Sequence, residues 1–219
     1  MRMPAPRGLA GALLATVAFG AVLALPSLLG EGPRPAPSGP VACGGPACEP
    51  GAPGLVDRVD DHLLLRMPDL ADELRRNLAR TIVGEAAEAR IDPLLVLALI
   101  HVESGWDPAA LSGRGARGLM QLREPTLRRE LERNGLPFAD PHDPVTNVRA
   151  GVRYLRRLLD AFGREEVALM AYNAGPNRIL GYLREGEIPK RFEVYPRRVS
   201  AELRRLRRSV DAPRPALAN

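Results

Sequence analysis

Lysine, cysteine and histidine are scarce in this sequence of 219 residues. Among 31 lysines and arginines only Lys190 is a lysine, which excludes a P-loop nucleotide site because that loop ends in Gly-Lys-Ser or Gly-Lys-Thr. Cys43 and Cys48 lie together in a Pro/Gly-rich stretch, and the histidines are scattered along the chain. We therefore expect neither a cysteine nucleophile nor a Cys/His zinc site inside a folded domain.

Aromatic residues are also few, at 4% of the chain, so tyrosines that recur within motifs carry information. Prolines (22) and glycines (21) are too numerous to be spread evenly through packed elements. The net charge of +5 suggests an anionic partner, which could be nucleic acid, a phospholipid surface or an anionic cell-wall polymer. Charge alone does not choose among them.

The N-terminal segment, residues 1–30, has the pattern of an export signal. Arg2 and Arg7 precede an uncharged apolar stretch at residues 8–30. This stretch is either a cleaved signal peptide, with a small-residue site near Ala24, or an uncleaved anchor, since it is long enough to span a bilayer of about 30 Å. Export favours the cell envelope over chromosomal nucleic acid, so we expect an extracytoplasmic protein, secreted or anchored.

Residues 31–54 form a Pro/Gly-rich linker, in which Cys43 and Cys48 could close a small disulfide loop in an oxidising compartment. Residues 55–208 carry helical periodicity and constitute the predicted folded domain, and residues 209–219 are expected to be a flexible tail.

The predicted domain is mostly α. Leu70, Leu74, Leu78 and Ile82 form an amphipathic stripe, and Asp92-Pro93 starts a helix that is apolar almost all round at residues 94–100. A helix without a polar face is expected at the centre of the domain. Further helices are predicted after Pro125, after Pro144, at 165–172, after Pro176 and at about 196–208, while a small β element between 104 and 118 remains open.

Glu103 emerges from the end of this apolar helix. Partial burial and the negative end of the helix dipole both disfavour the charged carboxylate, so both should raise the pKa of Glu103 towards that of a general acid. Taken alone, a glutamate at a helix C-terminus is more often a solvated residue, so other observations must decide.

The segment Gly113-Arg114-Gly115-Ala116-Arg117-Gly118 formally matches a dinucleotide-binding fingerprint, but no strand precedes it and no parallel βαβ unit follows. We interpret Gly115 and Gly118 instead as positions of close backbone approach, with Gln121 presented just beyond as both donor and acceptor.

Three separated motifs resemble the catalytic domain of the soluble lytic transglycosylases, which are related to goose-type lysozyme. The first is Glu103-Ser104-Gly105-Trp106-Asp107-Pro108, followed by Ala110-Leu111-Ser112. The second is Gly115-Ala116-Arg117-Gly118-Leu119-Met120-Gln121-Leu122, followed by Pro125-Thr126, and the third is Ala171-Tyr172-Asn173-Ala174-Gly175-Pro176. The resemblance covers about 55–208, implies a lysozyme-like helical fold, and is more specific than any single motif because the order is also right.

The resemblance implies cleavage of the β-1,4 bond between N-acetylmuramic acid and N-acetylglucosamine in peptidoglycan, with a 1,6-anhydromuramoyl product. Glu103 would be the single acid/base, without metal or cofactor, whereas most glycosidases use two carboxylates. Asp107 is followed by Pro108 and is interpreted as a helix cap. The same resemblance implies that further side chains line the sugar groove: Ser104, Met120, Gln121, Tyr172, Asn173 and Tyr195.

The segment that leads to Tyr195 departs from the family pattern. Arg191-Phe192 stands four and three residues before this tyrosine, where many relatives have Glu-Thr, so the substrate contact of that glutamate has no counterpart there, and Glu193 is a candidate replacement. The arginine-rich helix near the C-terminus is either a solvated face or a surface that adheres to an anionic wall or membrane.

Three alternatives to a lytic transglycosylase are open on sequence grounds. One is a true lysozyme that lets water attack, another is a non-catalytic peptidoglycan-binding component of an envelope-spanning assembly, and a third is a basic helical nucleic-acid binder. The export segment and the lack of a recognition-helix motif argue against nucleic acid. We expect a monomer whose partner is the peptidoglycan glycan strand.

Overall fold

The computed structural model describes residues 54–211. Within them lie eight α-helices and a two-stranded antiparallel ribbon. The mostly helical architecture predicted from the sequence is confirmed. The predictions for the export segment, for the linker with Cys43 and Cys48, and for the chain beyond residue 211 fall outside the described residues. No helix within 54–211 has the length and hydropathy needed to cross a bilayer.

The elements follow one another along the chain as α1 (Leu55–Arg66), α2 (Asp72–Ala89), α3 (Pro93–Ser104), β1 (Ala116–Arg117), β2 (Leu122–Arg123), α4 (Glu124–Arg133), α5 (Pro144–Phe162), α6 (Glu165–Ala174), α7 (Pro176–Glu185) and α8 (Val194–Asp211), with a 3₁₀ turn at Lys190–Glu193. Helix α8 continues to Asp211, three residues past the predicted end of the folded domain.

Helix α3 is the central helix, as its composition predicts. Asp92 caps it by accepting a hydrogen bond from the backbone N–H of Leu94 at 2.9 Å, and Pro93 occupies the first helical position. Six consecutive residues, 95–100, are buried. Because no face of this stretch is polar, α3 packs against α2 on one side and α8 on another.

Ion pairs of two buried carboxylates connect α2 and α4 to α5. Glu85 on α2 accepts hydrogen bonds from Arg149 Nε at 2.8 Å and Arg153 Nε at 2.7 Å, which lie one turn apart on α5. Glu130 on α4 pairs with Arg157, also on α5. Because Glu85 and Glu130 are buried, loss of their arginine partners would leave a buried charge without compensation, so these contacts help to fix how α2 and α4 sit against α5.

Candidate active site

Glu103 lies in the last turn of α3, immediately before the chain reverses. Gly105 ends the helix in the left-handed conformation (φ 61°), and Trp106 continues with φ 76°, which is rare for a residue with a side chain. The buried indole of Trp106 donates a hydrogen bond to Nδ1 of His101 at 3.0 Å. This contact holds the turn that fixes the direction of the Glu103 side chain.

The Glu103 carboxyl is partly buried and hydrogen-bonded. The hydroxyl of Tyr195, a buried residue of α8, donates to Oε1 of Glu103. Burial raises the pKa of Glu103 to about 7, while the Tyr195 hydrogen bond and the positive charge of Arg198 act in the opposite direction. The upward direction is the one predicted from the sequence. Near neutral pH this carboxyl can therefore both donate and accept a proton.

Tyr195 is held neutral by the same surroundings. Its pKa lies well above its ordinary value, because burial and then the charge of Glu103 disfavour the phenolate. The tyrosine is thus a fixed hydrogen-bond donor that orients the Glu103 carboxyl.

The loop that follows α3 is built around Asn147, which is fully buried on α5. Its Oδ1 accepts from the backbone N–H of Met120 at 2.7 Å, and its Nδ2 donates to the carbonyl oxygens of Arg117 at 2.9 Å and Pro141 at 2.8 Å. One amide side chain therefore satisfies three backbone groups that would otherwise be buried without partners.

Gly118 is required at its position because α5 and the loop before it approach so closely. A Cβ on Gly118 would lie 2.6 Å from the carbonyl oxygen of Pro141, and its φ is +75°. The prediction of close approach is thus confirmed for Gly118. Gly115 also has a positive φ of 77°, but a Cβ there would meet no atom within 4 Å, so its role is conformational only.

Glu103 lines a groove of about 430 Å³ between the ribbon and the start of α7. The lining combines one carboxyl, two guanidinium groups, two tyrosine rings and several neutral polar groups: Glu103, Ser112, Arg114, Ala116, Gln121, Leu122, Arg123, Thr126, Tyr154, Tyr172, Asn173, Ala174, Gly175 and Pro176. The groove is thus mixed in polarity, and Glu103 is the one acidic side chain among the described residues that line it.

Three of the six predicted groove residues line this groove with Glu103. Gln121 donates through Nε2 to the carbonyl oxygens of Ala110 at 3.1 Å and Gly118 at 3.0 Å, so its amide is pre-oriented. The ring of Tyr172 lines the groove, but its hydroxyl donates to the backbone oxygen of Met120 at 2.8 Å. Asn173 is exposed at the groove surface.

The other three predicted groove residues are placed elsewhere. The Met120 side chain is fully buried and lies against Gly151 of α5, where the absence of a Cβ leaves it room. Ser104 turns its hydroxyl back to the carbonyl oxygen of Ile100 at 3.0 Å, a common choice for serine within a helix. Tyr195 lies behind Glu103, as its hydrogen-bond partner.

Several groove residues escaped the sequence analysis. Tyr154 on α5 is one of them, and its ring lies 5.2 Å, centroid to centroid, from that of Tyr172. Arg114, Arg123, Ser112 and Thr126 are the others. Tyr154 could have been found from its position on the apolar face of α5. Ser112 and Thr126 belong to segments that resemble the family, but no feature of the sequence assigns them, or the two arginines, to the groove.

Two further predictions need correction or completion. Asp107 caps a turn instead of a helix, since its Oδ1 accepts from the N–H of Ala109 at 2.8 Å and no helix follows it before β1. In the segment that leads to Tyr195, where the sequence differs from the family pattern, Arg191 donates to the Tyr182 hydroxyl at 2.8 Å and Glu193 forms an ion pair with Arg197. Neither Arg191 nor Glu193 is among the described groove residues.

The arginines of α8 are partly neutralised within the domain. Arg205 lies 3.1 Å from Glu202 and Arg207 lies 2.7 Å from Asp92, in addition to the pair of Arg197 with Glu193. The basic face is therefore weaker than its arginine count indicates.

Comparison with known proteins places this geometry in a family. The family model described as the transglycosylase SLT domain matches residues 80–193, more than half of the chain. The chain is 37% identical over 98 residues to a transglycosylase of Enterobacteria phage PRD1, covering 45% of this chain and 35% of that protein. It is 31% identical over 134 residues to the soluble lytic murein transglycosylase of Escherichia coli K12, covering 59% of this chain and 20% of that protein.

Solved structures give the same result. A lytic transglycosylase Slt from Pseudomonas aeruginosa, solved as an inactive mutant, matches with a TM-score of 0.55 and 26% identity, covering 70% of this chain and 26% of that one. The 70 kDa soluble lytic transglycosylase of Escherichia coli has the same TM-score at 24% identity, covering 72% of this chain and 30% of that one. At this identity the match shows only that the two proteins share a fold.

Each match covers a larger share of this chain than of the relative. This chain spans between about a fifth and a third of the length of these curated relatives. The matched part of this chain nevertheless includes Glu103, the loop with Gln121, and the Tyr172-Asn173 pair. The chain belongs to the transglycosylase SLT domain family.

Proposed function

We propose that this protein is a peptidoglycan lytic transglycosylase that cleaves the β-1,4 bond between N-acetylmuramic acid and N-acetylglucosamine and leaves a 1,6-anhydromuramoyl end. The observation that carries the proposal is the lone carboxyl of the groove. Among the described residues that line it, Glu103 alone is acidic, and its pKa is raised to about 7. A two-carboxylate glycosidase would need a second acidic group across the cleaved bond.

In the first step the protonated Glu103 carboxyl donates its proton to the glycosidic oxygen, and the bond between that oxygen and C1 of the muramyl sugar breaks. The N-acetylglucosamine side leaves with a free 4-hydroxyl. The carbonyl oxygen of the muramyl N-acetyl group stabilises the positive charge at C1, which replaces the missing second carboxylate. The Tyr195 hydroxyl holds the Glu103 carboxyl in one orientation throughout.

In the second step the Glu103 carboxylate removes the proton from the 6-hydroxyl of the same muramyl sugar, and O6 bonds to C1. The 1,6-anhydro ring closes, the acetamido group is released, and Glu103 is protonated again. A carboxyl with a pKa near 7 suits both steps, because neither protonation state is strongly disfavoured at neutral pH.

Gln121, Tyr172 and Asn173 position the sugar. Because Nε2 of Gln121 is already engaged by two backbone carbonyls, its Oε1 is the atom that accepts a hydrogen bond from an acetamido N–H. The Tyr172 and Tyr154 rings supply apolar surface for a sugar face.

We also infer an extracytoplasmic location, since peptidoglycan lies outside the cytoplasmic membrane. A relative from Vibrio cholerae, 36% identical over 130 residues, is called a membrane-bound lytic murein transglycosylase F. Together with the uncharged segment at 8–30, this supports export, with residues 1–30 as either signal peptide or anchor.

A zymogram on purified peptidoglycan tests the role of Glu103. We predict that Glu103→Gln abolishes clearing while the circular dichroism spectrum stays helical, because glutamine preserves volume and hydrogen bonding but does not exchange a proton. Glu187→Gln, at an exposed position after α7, is the matched control and should clear like the wild type. Clearing by Glu103→Gln would remove this residue from the mechanism.

A further inference from the structure

The groove carries two positive charges that the chemistry at Glu103 does not use. Arg114 and Arg123 both line it, and both side chains are exposed. Within residues 54–209, neither guanidinium forms an ion pair with a carboxylate. The groove therefore faces its ligand with two cations that no described carboxylate neutralises and one carboxyl whose pKa is raised by burial.

The two arginines come from the ribbon and from the turn that precedes it, and both line the groove. Ala116 of β1 pairs with Arg123 of β2, and Arg114 lies two residues before Ala116. The turn that carries Arg114 is fixed by Ser112, whose Oγ accepts from the N–H of Ala116 at 2.9 Å. The backbone of this turn is thus held by a hydrogen bond, while the Arg114 side chain is exposed.

The carboxylate next to Arg123 in the chain does not neutralise it. Glu124 lies 3.2 Å from Arg128 and 3.9 Å from Arg117, and both of these partners are arginines outside the groove lining. Arg123 therefore keeps its charge for a ligand, although its neighbour is acidic.

Neutral sugars offer these guanidinium groups hydrogen-bond acceptors but no counter-charge. A strand made only of N-acetylglucosamine offers hydroxyl and acetamido groups, whereas guanidinium groups select planar anions by paired hydrogen bonds. In peptidoglycan the planar anions near the cleaved bond are carboxylates. They are either the free lactyl carboxylate of a muramyl residue without a peptide or the carboxylates of an attached stem peptide.

We propose that Arg114 and Arg123 form a carboxylate-binding subsite that makes this groove select muramyl strands over neutral chitin-type strands. The proposal rests on the proposed function, since it concerns the substrate of the same groove. The two arginines act in binding, through attraction to a carboxylate away from the reacting bond. They take no part in proton transfer.

Binding in a Glu103→Gln background tests this without turnover. The full chain is titrated with three soluble oligosaccharides of equal sugar length: a chitooligosaccharide, a bare strand of alternating N-acetylglucosamine and N-acetylmuramic acid, and the same strand bearing stem peptides. Adding Arg114→Gln with Arg123→Gln should weaken binding of a carboxylate-bearing strand about tenfold, and of the chitooligosaccharide less than about twofold. Raising the ionic strength should reduce this difference.

The matched control is the double variant Arg129→Gln with Arg133→Gln, which removes the same charge from exposed positions of α4 outside the groove. It should leave the affinity for all three strands within about twofold of the parent. Thermal unfolding of both double variants checks that the domain is intact. Arg114→Lys with Arg123→Lys should restore part of the selectivity, since the charge is kept.

The three ligands also distinguish the source of the carboxylate. Loss confined to the bare strand assigns the subsite to the lactyl carboxylate, and loss confined to the peptide-bearing strand assigns it to the stem. Equal loss on all three ligands, or no loss on any, overturns the proposal. Failure of the proposed function is a separate result, because it is read from the products of the wild-type enzyme and not from these affinities.

Discussion

The hydroxyl of Tyr195 on α8 donates a hydrogen bond to Oε1 of Glu103 on α3, although the two residues are 92 positions apart in the chain. Helices α3 and α8 pack directly against each other, so this bond is a product of the core and not of a flexible loop. The orientation of the proposed acid/base is therefore set by the same packing that stabilises the domain.

Tyr195→Phe should shift the pH profile. The Tyr195 hydrogen bond lowers the pKa of Glu103, so its removal raises that pKa above about 7. The acid then stays protonated to higher pH, and the alkaline limb of kcat/KM moves upward in pH. Tyr182→Phe is the control, because the Tyr182 hydroxyl contacts Arg191 and not Glu103. An alkaline limb that stays in place or moves to lower pH would contradict this account.

Glu103→Gln should stabilise the domain, and by more at higher pH. The pKa of Glu103 is about 7 in the folded protein against a reference of 4.5, so the folded state binds more protons between these values and loses stability as pH rises through them. The variant lacks this penalty. We expect the gain in free energy of unfolding over the wild type to grow from near zero at pH 4 to about 1 to 3 kcal/mol at pH 8.

Urea unfolding of both proteins at several pH values measures the effect. His62 also titrates abnormally, with a pKa lowered to about 4 by burial, but it is present in both proteins and cancels in the difference. A gain that is independent of pH would show that the Glu103 carboxyl is not desolvated by the fold.

The elements that could be predicted from the sequence are those determined by a short stretch of neighbouring residues. The Asp92-Pro93 cap and the apolar run behind it define α3, and these features also place Glu103 at the end of a buried helix with the correct direction of pKa change. The sequence admits a small β element between 104 and 118, where β1 lies, but it does not define the ribbon, because strands of two residues are too short to show alternation.

Contacts between segments that are distant in the chain could not be predicted from the sequence either. Met120 was expected in the groove, yet the glycine that accommodates it, Gly151, lies on α5. The resemblance placed Tyr195 in the groove, whereas the structure places it behind Glu103. Asn147, which orders the loop of Gln121, reads in the sequence as one more residue of a helix. Such pairings depend on which helices pack together, and periodicity does not report that.

Tyr172→Phe should affect stability more than binding. The Tyr172 hydroxyl donates to the buried carbonyl oxygen of Met120, so its loss leaves that oxygen without this donor and costs about 1 to 2 kcal/mol of unfolding free energy. The ring still lines the groove. Urea unfolding should show the loss, while the affinity of the Glu103→Gln background for a muramyl oligosaccharide should change less than about twofold. A large loss of affinity with unchanged stability would contradict this prediction and would indicate that the hydroxyl contacts the sugar, as the resemblance implies.

The mass of the muropeptides released from purified peptidoglycan tests the central claim most directly. If Glu103 acts alone and the 6-hydroxyl of the muramyl sugar attacks C1, every newly formed muramyl end carries the 1,6-anhydro ring and is lighter by one water than the product of hydrolysis. Digestion in water enriched in oxygen-18 should therefore leave these ends unlabelled. Products of hydrolytic mass that incorporate the heavy oxygen would show that water attacks, and would make the enzyme a lysozyme instead of a lytic transglycosylase.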